Sequence, residues 1–276
     1  MVTIGYLDRK KKPPDTGRAY ALAAAAKAEG AQLLYFNPLA ADFENRKING
    51  YVYNDGGWEK TTNAFPDVIY NQSGSYSERQ ACAVDRLRDE IPFIGNSIGS
   101  KPTVFRNLAR FGKFTDYLAT TDSESLAGHP YPGCRTRAGA AYVIRLHTQK
   151  NAKGEWETVQ IYPRISPNGD AICDTSVGGY TADPETFFKL EFENQYDIHM
   201  LRLDEFAVML SSHLDWIQNE LYGEELDELG IDIGIDESRN IRIYDIGWRP
   251  ESPPHMCGSL TIEKNLVGYA KYLAAK

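Results

Sequence analysis

Apolar and polar positions follow two different periods along this chain. Ile231, Ile233 and Ile235 alternate with Asp232, Gly234 and Asp236, which predicts a strand with one buried face. After a polar turn over Glu237 to Asn240, a second β-rich run carries Ile241, Ile243, Tyr244 and Ile246. Strict alternation would put Ile241, Ile243, Asp245 and Gly247 on one face of that run and Arg242, Tyr244, Ile246 and Trp248 on the other. Asp245 then falls on the aliphatic side, where a carboxylate needs a cation, a donor or solvent. The clearest helical repeat runs from Leu201 to Tyr222, with Phe206, Met209, Leu210, His213, Leu214, Ile217 and Leu221 on one stripe and Gly223 as the stop. His213 on that stripe reads as the edge of a core.

The first third alternates strand and helix. Val2 to Leu7 predicts a strand, Thr16 to Glu29 an Ala-rich helix capped by Asp15 or Thr16 and stopped by Gly30, and Gln32 to Phe36 a second strand. Such a βαβ opening requires a parallel sheet. Lys47 to Tyr53 and Trp58 to Thr62 flank Asn-Asp-Gly-Gly at 54–57, a hairpin signal. Beyond it, Asp67 to Asn71 predicts a buried strand, Tyr76 to Glu90 a helix, Pro92 to Gly95 a strand and Thr103 to Leu118 a helix. No GxGxxG follows the first strand, which argues against a dinucleotide site. Later, Tyr142 to Thr148 and Thr158 to Ile165 predict antiparallel strands joined by a turn over Lys150 to Glu155. A helix over Ile262 to Leu273, with Val267, Tyr269 and Ala270 inward, closes the chain.

At 276 residues there is enough chain for one large domain or two modest ones. A net charge of −8 and a pI near 5.2 argue against non-specific binding of nucleic acid or an anionic membrane. The opening apolar run is too short for a signal peptide, and no stretch is long enough for a membrane span, so cytoplasmic synthesis is expected. Cys82, Cys134, Cys173 and Cys257 are scattered without a CxxC pair, and His255 with Cys257 gives too few ligands for zinc. Lys10 to Lys12 reads as a solvated turn ahead of Pro13 and Pro14.

Several stretches together carry a resemblance. Asp232, then Asp245 and Gly247 on the second strand, then Pro250, resemble the C-terminal signature of the ATP-grasp superfamily, in particular its YheC/YheD endospore coat-associated branch. There the later positions are Glu-x-Asn. Aspartate for Glu shortens the reach by one methylene, and glycine for Asn deletes an oxygen ligand. Tyr142-Val143-Ile144-Arg145 is similar to the branch's Phe-Asp-Ile-Arg strand with Val143 in place of Asp, and Arg164 in Tyr162-Pro163-Arg164 keeps a second Arg. Cys173 to Gly179 resembles Asn-x-Ser-x-Gly-Gly with Asp174 in the Asn position and Gly178 and Gly179 permitting a close turn. The runs Phe36 to Tyr53 and Phe65 to Gly74, with Trp58 between them, resemble the opening domain of the branch.

The resemblance implies an α/β N-terminal open parallel sheet, pre-ATP-grasp-like, followed by an α+β antiparallel-sheet ATP-grasp C-terminal subdomain. It divides the chain into residues 1–120, a linker at 121–138 and residues 139–276. An ATP-grasp enzyme needs a lysine-bearing, Gly-rich lid in the middle, and the 18 residues of the linker are a loop's length. Asp232 and Asp245 read either as turn-proximal acids facing water or as the remnant of a divalent-metal site, with Asp174 and Gly247 in the vestigial set. Arg145 and Arg164 either cradle an anion or pair with Asp174, Asp232 or Asp245 in an ion network that replaces the metal.

Three functions follow from this pattern. The stripped signature implies a non-catalytic structural protein, self-assembling into a spore coat layer or filament, with no cofactor, no metal and no catalytic residue. Its partners would be itself or other spore-layer proteins, with deposition on the endospore surface. Trp248, Tyr131, Tyr142 and the helix stripes would supply apolar area for a neighbour. A complete site would instead make it an ATP-dependent carboxylate–amine ligase using ATP and Mg²⁺. A module holding a peptide or small anion at Arg145 and Arg164 is the third.

Overall fold

The computed structural model describes residues 1–54, 56–119, 134–166, 179–193, 195–250 and 260–276. The chain forms two units, one from residues 1–97, 150–155 and 254–276 and the other from 98–149 and 156–253.

The first unit begins with β1 (Thr3–Leu7), α1 (Arg18–Ala28) and β2 (Gln32–Phe36). A 3₁₀ turn over Pro38–Ala40 leads to β3 (Ala41–Asp42), β4 (Lys47–Asn54) and β5 (Gly57–Ala64). Next come β6 (Val68–Asn71), α2 (Glu78–Arg88) and β7 (Phe93–Ile94). The sheet order is β3-β4-β2-β1-β6-β7, with β5 on β4. Strands β2, β1, β6 and β7 are parallel, as buried runs separated by helices require. The β4–β5 hairpin adds an antiparallel flank through β2, so the sheet is mixed. Helix α1 differs from expectation at its start. Gly17, at φ 92°, takes the N-cap position and no side chain caps the helix, so neither Asp15 nor Thr16 plays that part.

The second unit opens with α3 (Lys101–Phe111). The predicted continuation to Leu118 is broken at Gly112, whose φ of 77° ends the helix and turns Phe114 into the core, ahead of a 3₁₀ turn at Thr115–Tyr117. Then follow β8 (Ala141–Lys150), β9 (Trp156–Ser166), β10 (Tyr180–Thr181), α4 (Pro184–Phe192) and α5 (Tyr196–Tyr222). The unit finishes with β11 (Glu228–Ile235) and β12 (Ile241–Trp248), in a sheet ordered β10-β9-β8-β11-β12. Helix α4 was not anticipated, although its start is a readable signal. Asp183 accepts from the N–H of Thr186 at 2.8 Å, Pro184 follows it, and Phe187, Phe188 and Phe192 are buried. On α5 the buried side is Leu203, Phe206, Ala207, Leu210, Leu214 and Ile217, which leaves Met209 half exposed rather than on the core stripe. His213 is partly buried and stacks on Trp216 with ring centroids 5.6 Å apart.

The chain's last helix, α6 (Thr261–Ala274), belongs to the first unit, where Leu266, Val267, Tyr269 and Ala270 join the core that also contains Leu22, Ala26 and Tyr70.

The β11–β12 hairpin departs from strict alternation in the way that matters most for chemistry. Register shifts between Asp232, paired with Asp245, and Ile233, paired with Ile243, so Tyr244 is an extra residue. The bulge reverses the facing of everything after it. Ile246 rejoins Ile231, Ile233, Ile241 and Ile243 on the apolar side, and Asp245 moves to the opposite, polar side. The expectation that Asp245 lies on the aliphatic face is therefore overturned by one inserted residue.

Candidate functional site

The polar face of the second sheet is built from three neighbouring strands, β8, β11 and the edge strand β12. Directly opposed residues in antiparallel strands share a face, so the pairing of Asp232 with Asp245 on β12 and with Arg145 on β8 lines all three up. Arg164 reaches in from β9. Arg145 binds Asp232 in fork geometry, Nε on Oδ1 and Nη2 on Oδ2 at 3.0 Å, and Nη2 of Arg164 donates to the same Oδ2. Glycine makes room for this. A Cβ on Gly230 would stand 3.0 Å from Nη1 of Arg145 and 2.7 Å from Pro250.

The electrostatics follow from burial. Asp232 is 7% exposed, and burial disfavours its charge, but Arg145 and Arg164 outweigh that and hold its pKa below the ordinary carboxylate range. Burial also works against the charge of Arg145, yet Asp232 beside it leaves the guanidinium more firmly protonated than usual. Asp245 has the opposite fate. Burial first, and the negative charge of Asp232 second, push its pKa up, with only partial relief from Lys101 and Arg145. Two carboxylates in one row thus titrate in opposite directions.

Farther along the same face lies a second polar cluster. His147, opposite Gly230, is fully buried with Nε2 2.9 Å from Oε1 of Glu228, and that oxygen also accepts from Nε2 of Gln149 at 3.0 Å. Sequence reading passed over these residues. Arg145, His147 and Gln149 are polar at every second position of a strand, and that period was the available signal.

Apart from Lys101, all of these side chains fall inside residues 133–273, which match the family described as YheC/D like ATP-grasp. The match covers more than half of the sequence. The chain belongs to the YheC/D-like ATP-grasp family. Its curated relatives include the endospore coat-associated protein YheC of Bacillus subtilis (strain 168), 21% identical over 328 aligned positions that cover 91% of this chain and 89% of YheC. YheD of the same organism, also endospore coat-associated, is 28% identical over 139 residues, covering 48% of this chain and 29% of YheD. The chain thus spans less than a third of YheD. Among solved structures, the VanG D-Ala:D-Ser ligase of Enterococcus faecalis superposes over 99% of each chain with a TM-score of 0.51 at 9% identity. That likeness carries the fold: an open α/β sheet followed by an antiparallel α+β part, as in ATP-grasp ligases.

In this YheC/D-like chain four of the residues singled out from sequence, Arg145, Arg164, Asp232 and Asp245, come together. Gly247 pairs with Gly230 and brings no side chain. Asp174, Tyr131, Cys173, Gly178, His255 and Cys257 lie outside the described residues. Tyr142 is buried at 2% exposure with its hydroxyl donating to the Ile235 carbonyl, which corrects the expectation that it offers area to a neighbour. Trp248 is partly buried against the core.

ATP-grasp chemistry implies Mg²⁺ and a nucleotide, and Mg²⁺ demands free oxygen ligands in near-octahedral array. Among the described residues, Asp232 has both oxygens committed to guanidinium groups, and Asp245 opposite it brings one further carboxylate. No group of three His, Cys, Asp or Glu side chains is placed to hold a metal among those residues. As arranged, this donor set does not fit a divalent cation. No described helix is long and apolar enough to cross a membrane.

Proposed function

We propose that this YheC/D-like protein is a non-catalytic structural protein of the spore coat. In this reading it assembles with copies of itself or with other spore-layer proteins, and uses no nucleotide. The observation that carries the reading is the engagement of Asp232 by Arg145 and Arg164, which puts guanidinium charge where an ATP-grasp ligase would need a metal. Two further observations support it. The chain between Tyr117 and Ala141 is too short for a subdomain that closes over a triphosphate, and the alignment with YheC is 328 positions long against 276 residues here, so YheC contains residues with no counterpart. On α5, Ile198, Leu201, Met209 and Trp216 are exposed along one side, and they offer apolar area for a second copy.

Light scattering across a concentration series, paired with calorimetry against Mg-ATP, tests both halves. The reading expects mass that grows with concentration and no saturable heat. A monomer at every concentration would defeat the assembly, and tight Mg-ATP binding would restore the ligase. A second reading, an anion- or peptide-binding module, draws on Nε of Arg164, buried and without a hydrogen-bond partner among the described residues. A melting shift with a small anion but not with ATP would favour it.

A further inference from the structure

The start of the run Lys10 to Lys12 is more firmly held than a solvated turn requires, although all three side chains are exposed. It leaves the carboxyl end of β1, where ligand crevices of open α/β sheets lie. Buried groups hold the backbone there. Asn37, 6% exposed, donates through Nδ2 to the carbonyl of Arg9, the N–H of Lys10 donates to Asp8 at 3.2 Å, and the N–H of Arg9 donates to Ser73 at 3.0 Å. The hydroxyl of fully buried Tyr35 donates to Asp8 at 3.0 Å.

This anchored loop puts Lys11 on the wall of an open groove of about 660 Å³, within the size range of small-molecule sites. Across it stand Lys60, Tyr51, Asn49 and Thr62 of the β4–β5 hairpin. In a chain of net charge −8, no carboxylate lines the groove among the described residues, and neither Lys11 nor Lys60 has an ion-pair partner there. A concave surface lined by one sign of charge concentrates the opposite sign. The rest of the lining is uncharged: Leu39 and Ala40 are apolar, while Asn37, Asn49, Tyr51, Thr61 and Thr62 carry hydrogen-bonding groups. Thr62 donates to Oδ1 of Asn49 at 2.7 Å, which orients that amide and leaves its Nδ2 to donate elsewhere.

We infer that this groove binds a small hydroxylated phosphate of the sugar-phosphate class. Two lysines match a phosphate monoester, which carries close to two negative charges near neutrality. The amide and hydroxyl groups match ring hydroxyls. The inference concerns the first unit and stands apart from the assembly proposed above.

Isothermal titration of the full chain with D-glucose 6-phosphate, inorganic phosphate and D-glucose tests it, on wild type and on Lys11→Ala and Lys60→Ala. Both lysines are exposed, so the variants should melt as wild type does. The expected result is saturable binding of glucose 6-phosphate, weakened about tenfold or more in each variant, with glucose and inorganic phosphate binding more weakly by a similar factor. Absence of saturable binding, or binding unchanged in both variants, would overturn the site. Inorganic phosphate binding as tightly as glucose 6-phosphate would overturn the sugar-phosphate assignment.

Discussion

Asp232 and Asp245 stand opposite each other on neighbouring strands, and their environments make opposite predictions. Asp232 has a lowered folded-state pKa, so its ion pairs stabilise the fold above the ordinary carboxylate pKa of about 3.9, and that contribution is lost as pH falls through the lower folded value. Asp232→Asn leaves Arg145 and Arg164 without their counter-charge in a largely buried place. It should cost about 3 kcal/mol in urea denaturation at neutral pH. Asp245 has a raised folded-state pKa, so its contribution is fully present below about pH 3.9 and is lost as pH rises through the folded value. Asp245→Asn should therefore raise the urea midpoint at pH 7, with the gain shrinking toward zero as pH falls below 4. A midpoint that drops at pH 7 would show that Asp245 is doing something other than burying an uncompensated charge. Neither sign was readable from the sequence, because each depends on which strand lies alongside. The residue types and their spacing nevertheless located both acids.

At the scale of elements, what was legible is what a local pattern specifies. The βαβ opening, the β4–β5 hairpin and the β11–β12 hairpin each rest on one period bounded by turn formers, and they form where expected. The misses have local causes that tertiary packing decides. Tyr244 is the bulge residue because its neighbours Asp232, Ile233 and Ile243 satisfy their own faces only if one residue is skipped. Met209 fits the helical period of α5, but the buried arc is centred on Leu203, Ala207, Leu210 and Leu214 instead. The start of α4 went unread since three phenylalanines in six residues also suit a strand, and only the Asp183 cap settles it. Gly234, on β11, shows how tightly the bulged hairpin is packed. An added Cβ would collide with Sγ of Cys134 and lie 2.7 Å from the ring of Tyr244, and Cys134 is itself held by a hydrogen bond to the Ile235 carbonyl. Gly234→Ala should cost about 1–3 kcal/mol by chemical denaturation. Gly223→Ala is the comparison. It meets no neighbour within 4 Å, so its cost would come from the φ of 67° alone.

For the molecule as a whole, the proposed assembly has to overcome like charge. Copies carrying −8 each repel one another, while the contact offered on α5 is apolar. An apolar contact opposed by net repulsion strengthens when salt screens the charges, whereas a contact made by ion pairs weakens. Raising ionic strength from about 0.01 M to 0.15 M shortens the screening length from about 30 Å to 8 Å, so light scattering should show larger particles at the higher salt. The same logic names the residues to change. Ile198 and Leu201 are 67% and 61% exposed, and replacing them with glutamate should alter the stability of a single copy by no more than about 0.5 kcal/mol. In the assembly those glutamates would have to be desolvated against another copy, so the double variant should stay monomeric at concentrations where wild type assembles, with its melting temperature unchanged in dilute solution. Assembly that survives the two substitutions would move the contact off α5, and assembly that dissolves as salt rises would replace the apolar contact with a charge-driven one.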